Sequence, residues 1–208
     1  MWPKSLIDNL KVIIFDCDGV MFDSRQANLA FYNTILARFE KPRITDDAFE
    51  VVHMSTAEES INYLFHDDPH LQDAQKYRKE VDYHQFIPLM AMEPFLEEAL
   101  EALKKKYQLA IATNRTNTIH PLLRAFHIEH FFDKVVSALD VNNPKPHPEA
   151  LLKIVNHFNI DARNALFVGD SPVDSETAFN AKVFFVAYKN ALLPADYNID
   201  NLRDLLSL

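Results

Sequence analysis

The chain has 208 residues, of which 48% are apolar and 25% are charged, and its formal net charge is −9. This length allows one well-buried core together with a smaller inserted domain. The negative charge argues against general binding to nucleic acids or to anionic membranes. No stretch approaches the roughly 18 to 20 apolar residues of a membrane span, and the single cysteine cannot form an internal disulfide. We therefore expect a cytoplasmic globular protein.

Short apolar runs along the chain have the length of buried β-strands. They cover residues 11–15, 109–112, 134–137, 165–168 and 183–187. Apolar residues at helical spacing lie between most of these runs, over residues 94–106, 117–126 and 148–158. Strands that alternate with helices of this length are typical of βαβ units. The pattern therefore predicts an α/β fold with a Rossmann-like parallel sheet.

Residues 22–88 interrupt this alternation. Helical patterns without a convincing strand occupy residues 23–40, 46–52, 56–65 and 71–86. We interpret 22–88 as an inserted, all-helical domain, so that residues 1–21 and 89–208 form the α/β core. At the end of the chain, the pattern over residues 199–206 predicts a short helix that packs on the core.

Each of the two glycines in the chain lies beside an aspartate at the end of an apolar run. Gly19 follows Asp16 and Asp18, and Gly169 precedes Asp170. Proteins contain about 7% glycine on average, and a chain this poor in glycine retains it where the backbone turns sharply or a ligand approaches closely. Ligands of parallel sheets bind beyond the carboxyl ends of the strands, so the two turns predict one functional site.

The first aspartate pair suits nucleophilic or acid–base chemistry. In an extended chain Asp16 and Asp18 fall on one face and Cys17 on the other, where we expect a buried structural thiol. One carboxylate can then act as a nucleophile or metal ligand while the other exchanges a proton. A solvated Asp-x-Asp turn is the alternative interpretation of this motif alone.

The second aspartate pair, Asp170 and Asp174, lies at a helix start predicted by Ser171 and Pro172. Both carboxylates can face the same point near the first helical turn, although simple capping by acidic residues is an alternative. Four converging carboxylates would repel one another strongly. A hard divalent ion with oxygen ligands, above all Mg²⁺, relieves that repulsion.

Two further segments suit an anionic ligand. Thr113 and Asn114 follow the predicted strand over residues 109–112, and Lys145 lies in a loop that prolines stiffen. A hydroxyl, the amides of a turn and a cation of restricted reach, together with a metal ion, form a phosphoryl-binding pocket.

Together these segments resemble the haloacid dehalogenase-like (HAD) hydrolase superfamily, in its phosphatase branch. The signature of that superfamily is Asp-x-Asp-Gly, then Thr or Ser after the second core strand, then Lys, then Gly-Asp-x-x-x-Asp. Its parts occur here in this order, and the resemblance covers essentially the whole chain. The resemblance implies the HAD fold for the core and makes residues 22–88 its helical cap.

The resemblance also implies a two-step phosphoryl transfer. Asp16 would attack phosphorus and form an aspartyl-phosphate, while Asp18 would protonate the leaving oxygen and then activate the hydrolytic water. Thr113, Asn114 and Lys145 would bind the phosphoryl group.

The same resemblance implies a Mg²⁺ cofactor. Its ligands would be the Asp16 carboxylate, the backbone carbonyl of Asp18 and the Asp170 carboxylate. Asp174 would be a further ligand or would support the others.

A cap over the site suits small substrates and excludes water. Within it, His53 stands where the family commonly has glycine, and we expect it to contact the substrate; a surface or capping histidine is the alternative. Arg25 and Arg115 are further candidates near the mouth of the pocket.

The implied function is that of a Mg²⁺-dependent phosphatase of a small phosphorylated metabolite, of the phosphoglycolate phosphatase kind. Family members that dehalogenate 2-haloacids typically lack the second aspartate, so Asp18 favours phosphate esters. A phosphosugar mutase of the β-phosphoglucomutase kind shares every core motif and is the main alternative. A binding or regulatory protein on the same fold is another. We expect a monomer or homodimer that binds neither nucleic acid nor membranes.

Overall fold

The computed structural model describes residue 2 and residues 4–208 of the chain, which divides into two compact units. The core unit comprises Met1–Phe22 and Met92–Leu208, and the helical unit comprises Asp23–Ala91. Among the described residues, no helix is both long enough and apolar enough to span a membrane.

Strands alternate with helices along the core unit, and further helices make up the helical unit. The strands in chain order are β1 (Val12–Phe15), β2 (Phe22–Asp23), β3 (Ala91–Met92), β4 (Gln108–Ala112), β5 (Lys134–Val136), β6 (Ala165–Gly169), β7 (Phe184–Tyr188) and β8 (Tyr197–Ile199). The α-helices are α1 (Lys4–Ile7), α2 (Arg25–Arg38), α3 (Asp46–Met54), α4 (Ala57–Leu64), α5 (Leu71–Glu80), α6 (Leu96–Leu103), α7 (Ile119–Ala125), α8 (Glu149–His157) and α9 (Pro172–Ala181). Short 3₁₀ helices occupy Tyr83–Leu89, Glu129–Phe131, Ala138–Asp140, Ala162–Asn164 and Leu202–Ser207.

The core unit is built on a parallel sheet with the strand order β5-β4-β1-β6-β7-β8. This arrangement confirms the predicted α/β fold, and each predicted strand is present with ends shifted by at most one residue. β2 and β3 pair separately, and the boundaries of the two units fall within them.

Continuous apolar runs form these strands because both faces of the sheet are covered. In β1, Val12 and Ile14 belong to a buried cluster on the face against which α8 and α9 pack. Alternation along the strand directs Ile13 and Phe15 to the opposite face, where they are also fully buried. The central strand is therefore inaccessible along its length, and its polar groups begin only at its carboxyl end.

The prediction of a helix over residues 199–206 is wrong at its start. Ile199 ends β8, the edge strand that pairs in parallel with β7, and its carbonyl accepts the N–H of Lys189 at 2.8 Å. A strand of three residues is too short to show an alternating pattern in the sequence. The helix that follows is a 3₁₀ helix, and the Asn201 side chain caps its start.

The helix predicted over residues 71–86 also ends early. α5 stops at Glu80, and the Asp82 side chain accepts the N–H of His84 at 3.0 Å. This contact starts a 3₁₀ helix in place of further α-helix, since aspartate competes well as a cap.

The helical unit has its own apolar interior. Phe49, Ile61 and Phe65 are buried within it. Thr45 and Thr56 start α3 and α4, since each side chain accepts a backbone N–H of the first turn. In the described range Asp23–Ala91, regular structure is helical apart from the end residues that belong to β2 and β3.

Parallel pairing brings the carboxyl ends of three central strands together. Phe15 of β1 lies opposite Ile111 of β4 and Val168 of β6. The residues that follow these strands therefore share one edge of the sheet, as expected for a ligand site of an open α/β sheet.

Candidate active site

Asp16 opens the loop that follows β1. Its N–H donates to the Val168 carbonyl at 2.9 Å, which holds it against the end of β6. Burial raises the pKa of the Asp16 carboxyl group to about 7; Lys145 opposes this rise, and repulsion from Asp174 and Asp18 adds to it. The ionised form of Asp16 therefore needs additional positive charge at the site.

The Lys145 ammonium group bridges two carboxylates. Its Nζ donates to Asp16 Oδ1 at 2.7 Å and to Asp174 Oδ1 at 2.6 Å, and only 3% of its side chain is exposed. Burial by itself would lower the pKa of Lys145, but the two carboxylates raise the pKa above its ordinary value. The lysine is therefore a fixed positive charge between the two aspartates.

Asn114 sets the backbone of Lys145. The Asn114 Nδ2 donates to the Lys145 carbonyl, and its Oδ1 accepts the Lys145 N–H, each at 3.0 Å. The side chain of Asn114 is thus committed to positioning the lysine. A phosphate contact through the Asn114 backbone stays a prediction.

Asp174 is fully buried in the first turn of α9. Its Oδ2 accepts the Ser171 hydroxyl at 2.6 Å and the Ser171 N–H at 3.2 Å, while Ser171 Oγ accepts the Asp174 N–H at 3.2 Å. This reciprocal pair is a capping box, and Pro172 occupies the first helical turn as predicted. The other oxygen of Asp174, Oδ1, accepts a hydrogen bond from Lys145 Nζ. Asp174 therefore belongs to the site as well as to the helix cap.

Asp170 follows β6 directly. Burial raises the pKa of its carboxyl group to about 8, and repulsion from Asp174 and Asp16 adds to the rise. Its backbone carbonyl accepts Asn190 Nδ2 at 3.0 Å. Asn190 could not be predicted from the sequence, because this residue lies in the loop after β7 and belongs to no motif.

Three carboxylates converge at the strand ends. One oxygen each from Asp16, Asp170 and Asp174 lies within 4.8 Å of the others. When these three groups and Asp18 are all ionised, they exceed the two buried cations of the site, a lysine and an arginine, by two negative charges. An oxygen donor set with this excess of negative charge fits a hard divalent ion.

Both glycines make room for aspartates of this cluster. Gly19 has φ of +79°, and a Cβ atom there would lie 2.1 Å from Asp170 Oδ2. A Cβ atom at Gly169 would lie 2.4 Å from Asp174 Cβ. The sequence predicts a close approach to the backbone at each glycine. The groups that approach there are the side chains of Asp170 and Asp174.

The end of β4 supplies Thr113, which is buried, with a backbone N–H that donates to the Val136 carbonyl at 3.0 Å. Its Oγ1 accepts the N–H of Arg115 at 3.1 Å. This contact orders the turn that carries the threonine and arginine at the carboxyl edge of the sheet.

Asp18 forms a two-point ion pair with Arg115. The guanidinium Nε donates to Oδ2 at 2.7 Å, and Nη2 donates to Oδ1 at 2.6 Å. Sequence reasoning named Arg115 as a candidate but could not identify its partner, because the two residues are 97 positions apart. Between Asp16 and Asp18 in the chain, Cys17 is fully buried, and burial raises the pKa of its thiol well above the ordinary value. Its side chain is packed in the core.

In the helical unit, His53 stacks on Phe49 with 5.1 Å between the ring centroids. Asn28 Nδ2 lies 3.2 Å from His53 Nδ1, and the Tyr83 hydroxyl donates to Asn28 Oδ1 at 2.7 Å. The asparagine therefore donates to the imidazole, which leaves the Nε2–H of His53 as a donor. Arg25 pairs with Glu50 at 2.8 Å in the same unit.

Comparison with known proteins agrees with this geometry. The family described as "Haloacid dehalogenase-like hydrolase" matches residues 13–188. A HAD-superfamily hydrolase of subfamily IA from Geobacter sulfurreducens is 41% identical, with a TM-score of 0.85 over 95% of this chain and 98% of that chain.

Curated relatives bear the name phosphoglycolate phosphatase. That of Pasteurella multocida is 30% identical over 185 residues, 82% of each chain. That of Haemophilus influenzae is 41% identical over 83 residues, which span only 37% of its length. Since the family match extends from the first core strand to the end of β7, the chain belongs to the haloacid dehalogenase-like hydrolases.

Proposed function

We propose that this protein is a Mg²⁺-dependent phosphatase that hydrolyses a small phosphorylated metabolite through an aspartyl-phosphate on Asp16. The observation that carries the proposal is the buried bridge from Lys145 to Asp16, at 2.7 Å, beside the cluster of three carboxylates. It combines a nucleophile, a fixed cation and a candidate metal site at one point.

In the first step, an Asp16 carboxylate oxygen forms a bond to phosphorus as the ester P–O bond breaks. The leaving alkoxide takes a proton from the Asp18 carboxyl group. In the second step, Asp18 takes a proton from water while the water oxygen bonds to phosphorus and the bond between Asp16 and phosphorus breaks. Inorganic phosphate is released and both aspartates return to their starting forms.

The remaining residues hold the reacting groups. Lys145 keeps Asp16 in place through Nζ and neutralises charge on the phosphoryl group, and Thr113 donates its hydroxyl to a phosphoryl oxygen. Asn114 acts by fixing the Lys145 backbone.

The Asp16 and Asp170 carboxylates and the Asp18 carbonyl would hold Mg²⁺, which when bound neutralises charge that develops on the phosphoryl oxygens. Asp174 has both oxygens engaged, by Lys145 and by the start of α9. We therefore assign Asp174 to support of the metal-binding loop.

We propose further that the helical unit serves as the cap, corresponding to residues 22–88 of the sequence-based division. His53 would offer its Nε2–H to the substrate, and Arg25 would contribute positive charge only when it leaves Glu50. Relatives named phosphoglycolate phosphatase make 2-phosphoglycolate the first substrate to test. The buried thiol of the single cysteine, Cys17, suits a reducing cytoplasm.

Phosphate release from a panel of phosphorylated metabolites, with and without Mg²⁺, tests this function. We expect Mg²⁺-dependent release by the wild type and a loss of at least about 10³-fold in Asp16→Asn, which removes the nucleophile. Asp67→Asn is the matched control, because 89% of the Asp67 side chain is exposed; its activity should equal that of the wild type.

Other outcomes identify the alternatives. Interconversion of hexose phosphates without net phosphate release would replace the phosphatase by a phosphosugar mutase. Activity that survives Asp16→Asn would exclude the aspartyl-phosphate route. A wild type that turns over no phosphate ester would favour a binding protein.

A further inference from the structure

Arg115 and Asp18 form a two-point ion pair that is largely buried, as are the two ion pairs of Lys145. The Arg115 side chain is 6% exposed and that of Asp18 is 19% exposed. Both oxygens of one carboxylate face one edge of the guanidinium group, at 2.7 and 2.6 Å. Such a contact fixes the plane of the carboxylate as well as its position.

Arg115 is itself held by the end of the neighbouring strand. Its Nη1 donates to Thr118 Oγ1 at 3.3 Å, and its N–H donates to Thr113 Oγ1 at 3.1 Å. Its carbonyl accepts the N–H of Ala138 at 2.9 Å. The guanidinium group thus connects Asp18, on the loop after β1, to the turn after β4.

Asp18 is flanked in its loop by a buried cysteine and a glycine. Cys17 on one side is packed in the core, and Gly19 on the other has no side chain to pack. An aspartate has two rotatable side-chain bonds, and a partly exposed carboxylate samples several orientations unless a contact selects one. Catalytic groups displaced by as little as about 1 Å lose much of their effect.

The guanidinium group of Arg115 is held mainly by Asp18. Each of its guanidinium nitrogens has a protein acceptor, Asp18 for Nε and Nη2 and Thr118 for Nη1. These contacts use three of the five N–H groups of a guanidinium, and two of the three are made to Asp18.

We propose that Arg115 is a positioning residue that holds the Asp18 carboxyl group in the orientation required for both proton transfers, with the exchanged proton on the side of a carboxyl oxygen that faces away from the guanidinium group, and that it acts only through Asp18. This inference rests on the proposed phosphatase function. It assigns to Arg115 a role distinct from the substrate contact expected from its sequence position.

A double-mutant cycle tests the inference with Arg115→Lys, Asp18→Asn and the double variant. Lysine keeps the positive charge, so the fold should survive the substitution. It cannot form the two-point contact with Asp18. We expect Arg115→Lys to lower kcat for an alkyl phosphate such as 2-phosphoglycolate by about 10- to 100-fold, with KM changed less than about threefold. In the Asp18→Asn background, the same substitution should change kcat by less than about twofold, since its partner is already disabled.

p-Nitrophenyl phosphate supplies the second readout, because its leaving group departs without a proton. In Arg115→Lys, the aspartyl-phosphate should then form at a normal rate, while its hydrolysis, which needs Asp18 as the base, is slow. We expect a burst of about one p-nitrophenolate per protein followed by slow turnover. If Arg115→Lys only destabilised the folded protein, the burst amplitude would instead fall in proportion to the fraction of folded protein.

The results separate the two proposals. If the wild type releases phosphate but Arg115→Lys costs the same factor in both backgrounds, the positioning role is wrong and the phosphatase stands. A rise in KM at constant kcat would instead make Arg115 a substrate ligand. A wild type without phosphate release overturns both proposals together. If Arg115→Lys unfolds, a cycle of Arg115→Gln, Asp18→Asn and their double variant replaces it. Circular dichroism verifies the folding of each variant.

Discussion

At the scale of single residues, the glycines show how a small side chain decides the geometry of a charged site. Gly19 lies in the left-handed region, and its missing Cβ leaves space that Asp170 Oδ2 occupies. Glycine reaches this conformation without steric cost. The carboxylate of a distant segment can therefore approach the backbone next to Asp18.

We predict that Gly19→Ala weakens Mg²⁺ binding by at least about tenfold, because Asp170 must move away from the new methyl group. The substitution should also cost about 1–2 kcal/mol of unfolding free energy through the left-handed backbone. Calorimetric Mg²⁺ titration and urea unfolding measure the two effects.

Asn159→Ala is the matched control for this glycine. Asn159 also has a left-handed backbone, with φ of 52°, but it is exposed after α8. The Asn159→Ala variant should unfold at a lower urea concentration than the wild type and bind Mg²⁺ with unchanged affinity. Unchanged Mg²⁺ affinity in Gly19→Ala would show that Asp170 is not a ligand of the ion.

At the scale of elements, the start of α9 is both a helix cap and part of the candidate site. Ser171 and Asp174 exchange hydrogen bonds, and Asp174 carries the second carboxylate that Lys145 bridges. The helix start thus sets the position of a charged group in the site.

We predict that Ser171→Ala lowers the unfolding free energy by about 0.5–2 kcal/mol and also lowers kcat, since Asp174 loses the hydroxyl that orients it. Thr56→Ala removes a comparable capping box at α4 in the helical unit. It should cost similar stability in urea unfolding and leave kcat unchanged. Equal kcat values in both variants would contradict a catalytic effect of the α9 cap.

At the scale of the whole molecule, the buried acidic cluster couples stability to pH and to metal. The folded-state pKa values of Asp16 and Asp170, about 7 and about 8, lie above the ordinary value of 3.8. Without metal, folding therefore favours their protonated forms. The stability that these groups contribute is fully present below about pH 4 and is lost as pH rises through 7 to 8.

We predict that Mg²⁺ raises the Tm more at pH 8 than at pH 6, because the ion binds the deprotonated carboxylates and must displace their protons. Thermal unfolding with and without Mg²⁺ at the two pH values measures this difference. Asp170→Asn should reduce both the Mg²⁺ shift and its pH dependence. A Mg²⁺ shift that is equal at both pH values in the wild type would exclude these carboxylates as its ligands.

Local patterns in the sequence are enough to predict the α/β core, because strands buried on both faces appear as continuous apolar runs separated by helical patterns. It also predicted that the motif residues follow strand ends, where parallel pairing brings Asp16 and Asp170 together. These features depend on local periodicity and on a general property of parallel sheets.

Which side chains contact one another depends on the folded arrangement of the chain. The contact of Asp18 with Arg115 and that of Asn114 with the Lys145 backbone join residues far apart in the chain, and no local pattern encodes such partners. The edge strand β8 was missed for a related reason: three residues gain their strand structure from pairing with β7. Local pattern thus specifies the elements and their polar ends, whereas the orientation of each charged side chain is set by long-range contacts.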